Sequence, residues 1–245
     1  MREHRLYLDE PVAGRAEVIV SGDRARYLVR VLRLGVDAPL TVFDGAGGEY
    51  RARITALGRD RVTLAIDEHV AIERESPLSV RLLQGVSRGE RMDLVIQKAT
   101  ELGVAEIVPV ITKFSVVKLA GERAERRQRH WQAVAVAACE QCRRNRVPVV
   151  APVCTLAEAL AAEAPARLRL LLAAEGEARL ATHARPPGGV TLLIGPEGGL
   201  APGEREAAIA KGFSAVRLGP RILRTETAAI AALALLQGTW GDAAG

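Results

Sequence analysis

The sequence predicts an α/β fold with a mainly parallel sheet, preceded by a small β-barrel. Before residue 75, several short runs of alternating apolar and polar residues are separated by turns, which is typical of a small barrel. After the polar segment 73–77, strand-length apolar runs alternate with helical stripes, which indicates strand–helix–strand units. We therefore expect a boundary here, with domains at 1–74 and 75–245.

The first domain contains short strands and one helix. The helix is predicted over residues 24–34, with Tyr27, Val31 and Leu34 on its apolar side. Three arginines recur at i, i+4 and i+7. This spacing would let them contact successive phosphates of a nucleic-acid backbone, and it is equally typical of a solvent-exposed helix face. These arginines are Arg26, Arg30 and Arg33. The strand candidates are residues 5–8, 16–20, 39–43, 50–56 and 62–66.

The second domain alternates strands with helices. One helix ends at Gly103, a second covers residues 122–143, and Thr155 with Glu158 forms a capping box for a third. A fourth helix begins at Pro202. Thr225 is placed to cap the last helix, whose run 228–236 is apolar on every face and is predicted to be buried. The strand candidates are residues 78–86, 106–111, 147–153, 168–173, 190–194 and 214–218.

Positive charge is concentrated in one stretch. The net charge is +5, and residues 113–146 contain nine basic and three acidic side chains. This clustering indicates a polyanionic partner, although a solvated helix face is the simpler explanation. The candidate RNA-binding residues outside the first domain are Lys98, Arg123, Arg126 and Arg127.

Cysteines and apolar runs exclude several classes of protein. Cys139 and Cys142 fall on one helical stripe with Trp131, which favours core packing over a redox or zinc site, and no metal site is predicted. The first ten residues contain no apolar signal region, and the run 228–236 is too short to span a bilayer. We therefore expect a cytoplasmic protein with no membrane partner.

Two glycine-containing loops follow successive strands near the carboxyl terminus. They are Gly-Pro-Glu-Gly-Gly at 195–199 and Gly-Pro-Arg-Ile-Leu-Arg at 219–224. Loops at the carboxyl ends of parallel strands are where α/β sheets bind ligands. Neither loop has the spacing of a dinucleotide fingerprint or a phosphate loop, so a ligand without phosphates fits better. One such loop alone is more simply an ordinary turn.

Both loops together resemble a known signature. IGPEGGL and LGPRILRTETA are similar to the cofactor-binding segments of SPOUT methyltransferases, specifically the RsmE-like 16S ribosomal RNA uridine N3-methyltransferases. RMDLVIQKATELGV (91–104) and EQCRRNRVP (140–148) extend the resemblance. YLVRVLRLGV (27–36) resembles the family's PUA-like RNA-binding module. Arg143 departs from the pattern, which usually has a small residue there.

The resemblance implies a cofactor and a fold. S-adenosylmethionine would lie bent between the two loops of a deep trefoil knot, in a homodimer whose site is at the interface. The family's substrate is 16S ribosomal RNA or the assembled small subunit, methylated at a uridine N3 in the decoding region. The implied cofactor-binding residues are Ile194, Gly195, Pro196, Glu197, Gly198, Gly199, Leu218, Gly219, Ile222, Leu223, Arg224, Thr225 and Thr227.

Catalysis would require a group that stabilises negative charge as the uracil N3 proton leaves. Arg144, Asn145 and Arg146 are the candidates, and phosphate binding is an equal alternative for them. Glu101 and Glu140 are possible bases, although salt bridges within helices explain them better. Other functions stay open: methylation of another RNA position such as a ribose 2'-hydroxyl, or RNA binding without catalysis. A nicotinamide oxidoreductase is disfavoured by the missing fingerprint.

Overall fold

The computed structural model describes residues 4–162, 167–176 and 184–243. These residues form two compact units. The first consists of Met1–Glu75 together with Cys139–Arg146, and the second of Ser76–Ala138 together with Val147–Gly245. The segment 139–146 thus belongs to the first unit although it lies far along the chain, which nothing in the sequence pattern indicated.

The first unit is built on a five-stranded sheet in the order β1-β3-β4-β5-β2. Only the β1–β3 pair is parallel. Alternate residues of the strands point to one apolar core, in which Val42, Ile54 and Leu64 are fully buried. The strands are β1 (Arg5–Tyr7), β2 (Glu17–Ser21), β3 (Pro39–Phe43), β4 (Glu49–Leu57) and β5 (Arg61–Val70).

The predicted helix over residues 24–34 is confirmed over residues 24–31, but its predicted end and its predicted buried face are wrong. Helix α1 covers Gly22–Arg26 and continues as a π-helical turn over Tyr27–Val31. A π turn closes i→i+5 hydrogen bonds, so side chains advance less per residue than in an α-helix. Leu28 is therefore the buried residue, whereas the expected core residues Tyr27 and Val31 are 42% and 65% exposed.

The second unit contains the predicted parallel sheet, in the order β12-β10-β11-β6-β7-β8, with β9 beside β7. Every pair in it is parallel. Of the predicted strand 147–153, only Val149–Val150 is a strand, and a second two-residue strand follows at Cys154–Thr155. The strands are β6 (Val80–Gly85), β7 (Glu106–Ile111), β8 (Val149–Val150), β9 (Cys154–Thr155), β10 (Leu168–Leu172), β11 (Val190–Ile194) and β12 (Ser214–Val216).

Helices cover both faces of this sheet. Neighbouring residues of β6, Leu82 and Leu83, contribute to two different cores on opposite faces. One core takes the apolar sides of α2, α3 and α6, and the other those of α4 and α5. Burial on both faces explains the continuous apolar runs of the strands. The helices are α2 (Glu90–Glu101), α3 (Gly121–Cys142), α4 (Leu156–Ala161), α5 (Pro202–Ala210) and α6 (Thr225–Trp240).

The helix ends test the local predictions. The capping box at Thr155 is confirmed, and Gly103 follows α2 with a φ of 76°. Thr225 does not cap α6: Arg224 occupies that position, and Thr225 is the first helical residue. The expectation that α6 is buried all round is also wrong, because Leu235 is 48% exposed. Arg143 follows α3 with a φ of 70°, a conformation that favours glycine or asparagine.

Candidate functional site

A cavity of about 490 Å³ lies at the carboxyl edge of the parallel sheet. It is bounded by the segments that follow β10, β11 and β12, three strands that are neighbours in the sheet. Its size is within the usual range for small-ligand sites, and its position is where open α/β sheets bind ligands. Apolar side chains such as Ile194, Leu200 and Leu223 line it beside glycine backbone.

The loop after β11 is held against the end of β6. A Cβ atom on Gly85 would come within 2.7 Å of the Gly195 carbonyl carbon and closer still to Pro196, so only glycine fits there. The Thr225 hydroxyl donates a hydrogen bond to the Gly195 carbonyl (2.8 Å), and the Gln84 amide donates to the Thr225 oxygen (3.0 Å). Gly85 and Thr225 therefore fix the loop and the start of α6 together.

Glu197 is a carboxylate on the cavity wall whose Oε1 accepts two hydrogen bonds. It accepts a hydrogen bond from the Arg88 backbone amide (3.0 Å) and one from the Arg91 guanidinium (2.8 Å). Partial burial opposes ionisation, but its own backbone amide, the Arg88 amide and the Arg91 charge outweigh burial and lower the pKa of Glu197. This carboxylate consequently stays ionised and orders the loop.

Arginines outnumber carboxylates around the cavity. Arg205 pairs with Glu175 at 3.1 Å, and Arg91 pairs with Glu197. Within the described ranges, three further arginines at the rim are exposed and have no carboxylate within 4 Å. These are Arg217, Arg221 and Arg224.

The structure brings most of the predicted cofactor residues to this cavity. The exceptions are Gly198 and Thr227. Gly198 packs elsewhere, since a Cβ on it would lie 2.8 Å from the Phe114 Cβ. The predicted residues that line the cavity are Ile194, Gly195, Pro196, Glu197, Gly199, Leu218, Gly219, Ile222, Leu223, Arg224 and Thr225.

The segment 171–175 is a further wall of the cavity that is absent from the predicted site. Leu171, Leu172, Ala173, Ala174 and Glu175 all line the cavity. A signal was present, because β10 was predicted as a parallel strand and its carboxyl end should lie at the ligand-binding edge. The segment carries no glycine-rich motif, and the predicted site was based on such motifs.

Arg144 and Asn145, two of the predicted catalytic residues, are buried inside the first unit. The Arg144 guanidinium is bidentate on Glu75, with Nε donating to Oε1 at 2.8 Å and a second nitrogen donating to Oε2. The Asn145 side chain accepts from Arg5 at 2.7 Å and donates to the Ile72 carbonyl at 2.7 Å. Both side chains therefore connect segment 139–146 to the barrel.

Arg146 differs from its two neighbours because its side chain is 54% exposed. Its Nε donates to Glu73 at 2.8 Å, which leaves guanidinium nitrogens in solvent. Neither Arg146 nor its neighbours is among the residues that line the cavity. Catalysis by these residues stays a prediction, and Arg146 is the one whose exposure suits contact with a substrate.

The predicted RNA-binding residues are all on the surface. Arg26, Arg30 and Arg33 are exposed, although Arg26 pairs with Asp23 and Arg33 adopts a φ of 56°. Lys98 is engaged with Glu101 at 2.8 Å. On α3, the exposed arginines without a carboxylate within 4 Å in the described part of the chain are Arg123, Arg126 and Arg127.

The cysteines have no sign of a chemical role. Cys139 is buried and Cys142 is partly buried, as the core interpretation predicted. Burial raises the pKa of the Cys139 thiol to about 12. Among residues 4–162, 167–176 and 184–243, no three potential ligands are placed to hold a metal ion, and no helix is long and apolar enough to cross a membrane.

Two protein families match the chain. An RNA methyltransferase domain matches residues 74–237, and an RNA methyltransferase PUA domain matches residues 20–67. Among similar proteins is the ribosomal RNA small subunit methyltransferase E of Bacillus subtilis, 32% identical over 89% of this chain and 88% of that one. The protein of that name from Synechocystis is 35% identical over 89% and 72%.

Solved structures agree with the sequence comparisons. The ribosomal RNA small subunit methyltransferase E of Neisseria gonorrhoeae, bound to S-adenosyl methionine, superimposes with a TM-score of 0.92 at 38% identity. The match covers 98% of this chain and 99% of the other. It confirms the predicted fold class for both parts, the parallel-sheet domain and the small barrel before it.

Proposed function

This chain belongs to the ribosomal RNA small subunit methyltransferase E family, and from that membership we propose the position that it methylates: N3 of a uridine in the decoding region of 16S ribosomal RNA. It is an S-adenosylmethionine-dependent ribosomal RNA methyltransferase of the SPOUT class. One observation carries the assignment of the site: both glycine loops line a single cavity at the carboxyl edge of the parallel sheet, although β10 separates the strands β11 and β12 that they follow.

The cavity suits S-adenosylmethionine. The cofactor has no phosphate, and neither loop forms a phosphate cradle. It carries a sulfonium and an ammonium group, and the carboxylates of Glu175 and Glu197 are on the wall. Ile194, Leu218 and Leu223 would bind the adenine between them, with backbone of Gly195 and Gly219 close enough for hydrogen bonds. When bound, the cofactor supplies an activated methyl group.

Methylation at N3 requires the protein to accept a proton and to stabilise negative charge. The uracil N3 must lose a proton, and charge spreads onto the flanking carbonyl oxygens as the proton leaves. A carboxylate can accept the proton, and an arginine can stabilise the oxygens. The resemblance of the two loops and of segments 91–104 and 140–148 to uridine N3-methyltransferases supports this position over a ribose hydroxyl.

Direct displacement at N3 needs no protein nucleophile. Burial raises the pKa of Cys139 to about 12, and burial followed by the charge of Glu158 raises the pKa of Cys154. Neither group is a thiolate near neutral pH. These two thiols therefore support a mechanism without a covalent protein adduct.

The modified nucleoside is the decisive measurement. Small subunits that lack the modification should be incubated with S-adenosylmethionine carrying a labelled methyl group, and the digested RNA analysed by chromatography and mass spectrometry. We expect 3-methyluridine from decoding-region RNA. Labelled 2'-O-methyl nucleosides would instead establish the ribose alternative. Absence of any transfer, despite RNA binding, would favour a non-enzymatic binding protein.

Arg146 is the member of the 144–146 segment that we propose for catalysis. Arg146→Ala should lower kcat by about 10²-fold, because removing one donor to a developing oxyanion has an effect of this size. Stability should change little, since its ion pair with Glu73 is exposed. Glu73→Ala is the control, because it removes the same ion pair but keeps the Arg146 guanidinium. Full recovery of the Arg146→Ala rate at saturating RNA would indicate phosphate binding instead.

The first domain, residues 1–74, is proposed to bind RNA through Arg26, Arg30 and Arg33. Changing Arg30 and Arg33 to glutamine should reduce the slope of log affinity against log salt by about one unit per lost phosphate contact. Arg51→Gln is the matched control, because Arg51 already pairs with Glu68 in the same domain. A titration of RNA affinity against salt measures both. Equal slopes for all three proteins would identify the Arg30 face as merely solvated.

The remaining parts of the proposal concern assembly and location. The side chains of Ile222, 89% exposed, and Leu235, 48% exposed, are apolar surface in the second unit that a second copy would cover. Homodimerisation would give a light-scattering mass of twice 26.2 kDa. We place the protein in the cytoplasm, where its proposed substrate is assembled.

A further inference from the structure

Three carboxylates line the cavity, and they differ in how far they are engaged. Glu175 is on the surface, with its side chain 68% exposed and paired with Arg205. Glu197 accepts hydrogen bonds from Arg88 and Arg91, which favour its ionised form. A carboxylate whose ionised form is stabilised by such donors is a poor proton acceptor. The partners of Glu175 and Glu197 thus account for the presence of these two carboxylates at the cavity.

Glu226 is the third carboxylate and is differently placed. Its side chain is only 13% exposed, and its Oε2 is buried without a hydrogen-bond partner. Its Oε1 is 3.9 Å from Arg91 Nε, too far for a hydrogen bond. Buried polar atoms in native proteins nearly always have partners, so an unpaired carboxylate oxygen beside a ligand cavity calls for an explanation.

Glu226 lies at the start of a helix, and its carboxylate can rotate. Glu226 is in the first turn of α6, where the helix dipole favours negative charge. The torsion that rotates a carboxylate is broad, so rotation can bring either oxygen to the cavity while the other stays near Arg91. The other charged groups around the cavity are Arg91, Arg205, Arg217, Arg221, Arg224, Glu175 and Glu197.

We propose that Glu226 is the proton acceptor for the target base. This inference rests on the proposed methylation at uracil N3. The N–H bond electrons become the N3 lone pair, which forms the new bond to the methyl carbon. The electron pair of the carbon–sulfur bond stays on sulfur, which becomes neutral, and the proton passes to a Glu226 oxygen. Glu226 would then be a catalytic residue in direct contact with the base.

Glu226→Gln tests the assignment, because glutamine keeps the shape and cannot take the proton. With saturating cofactor and RNA at neutral pH, single-turnover methylation should be about 10²-fold slower than in the wild type. The deficit should shrink as pH rises, since N3 then loses its proton to solvent. The N3–H of 5-fluorouridine is more acidic than that of uridine. RNA with 5-fluorouridine at the target should therefore increase the methylation rate of the variant more than that of the wild type. Glu206→Gln, an exposed carboxylate on α5, is the control.

Cofactor affinity gives a readout that is independent of turnover. Calorimetry with S-adenosylmethionine should give the same affinity for Glu226→Gln as for the wild type. A parallel loss of cofactor affinity would overturn the proposal and make Glu226 a cofactor ligand. A deficit that is constant with pH and not rescued by 5-fluorouridine would also overturn it. A wild type that forms no 3-methyluridine contradicts the proposed function, whereas a wild type that forms it no faster than Glu226→Gln contradicts only the role of Glu226.

Discussion

Alanine in place of Gly85 should lower the affinity for S-adenosylmethionine by about 10- to 100-fold while the protein stays folded. The added Cβ would lie within 2.7 Å of the Gly195 carbonyl carbon, so the backbone of the loop after β11 must move. Forced overpacking of this kind destabilises a protein by about 1–3 kcal/mol. The atoms that the Cβ would meet belong to the loop that lines the cavity. Each 1.4 kcal/mol of lost binding energy lowers affinity about tenfold, so a loss of about 1–3 kcal/mol from binding would lower affinity by about 5- to 150-fold.

Gly203→Ala is the matched control for this change. Gly203 is in α5, and a Cβ there would meet no atom within 4 Å. Calorimetry should give wild-type cofactor affinity for Gly203→Ala, and circular dichroism should give folded spectra for both variants. A Gly85→Ala protein that binds the cofactor as the wild type does would mean that the Gly195–Pro196 loop is not part of the cofactor site.

Removing the Arg144 side chain should lower the free energy of unfolding by about 3–5 kcal/mol, because it leaves the Glu75 charge without its partner in a poorly hydrated place. The Arg144 side chain is 5% exposed and that of Glu75 is 21% exposed. Partial solvation of Glu75 places the expected value toward the lower end of that range. Urea unfolding of Arg144→Ala measures the loss.

The double variant Arg144→Met with Glu75→Leu separates the charge from the packing. It removes both charges together, so it should recover most of the stability lost in Arg144→Ala. If Arg144 also contacts the substrate, this stable double variant should still have a low kcat. A double variant with full activity would limit Arg144 to a structural role, and an Arg144→Ala protein as stable as the wild type would contradict the buried ion pair.

The sequence predicted the parts of the molecule whose signals are local. Strand β11 and the loop after it were predicted from an apolar run followed by three glycines in five residues. Glycine permits backbone conformations that other residues avoid, so such a run indicates a loop directly. Gly103 and the Thr155 capping box were likewise predicted from local signals. The π turn at Tyr27–Val31 escaped, because its hydrogen bonds change the periodicity on which the predicted apolar side depended.

By itself, then, the sequence determined the order of elements, the two glycine loops and, through the segments that match it, the family. Tertiary structure alone decided that β10 lies between β12 and β11, which makes residues 171–175 a cavity wall. It also paired Arg144 with Glu75 across 69 positions and left Glu226 with an unpaired oxygen. The periodicity of apolar residues in the sequence predicts on which face of its own helix or strand a side chain lies. The partner that it meets is set by long-range packing, which brings together residues with no local relation.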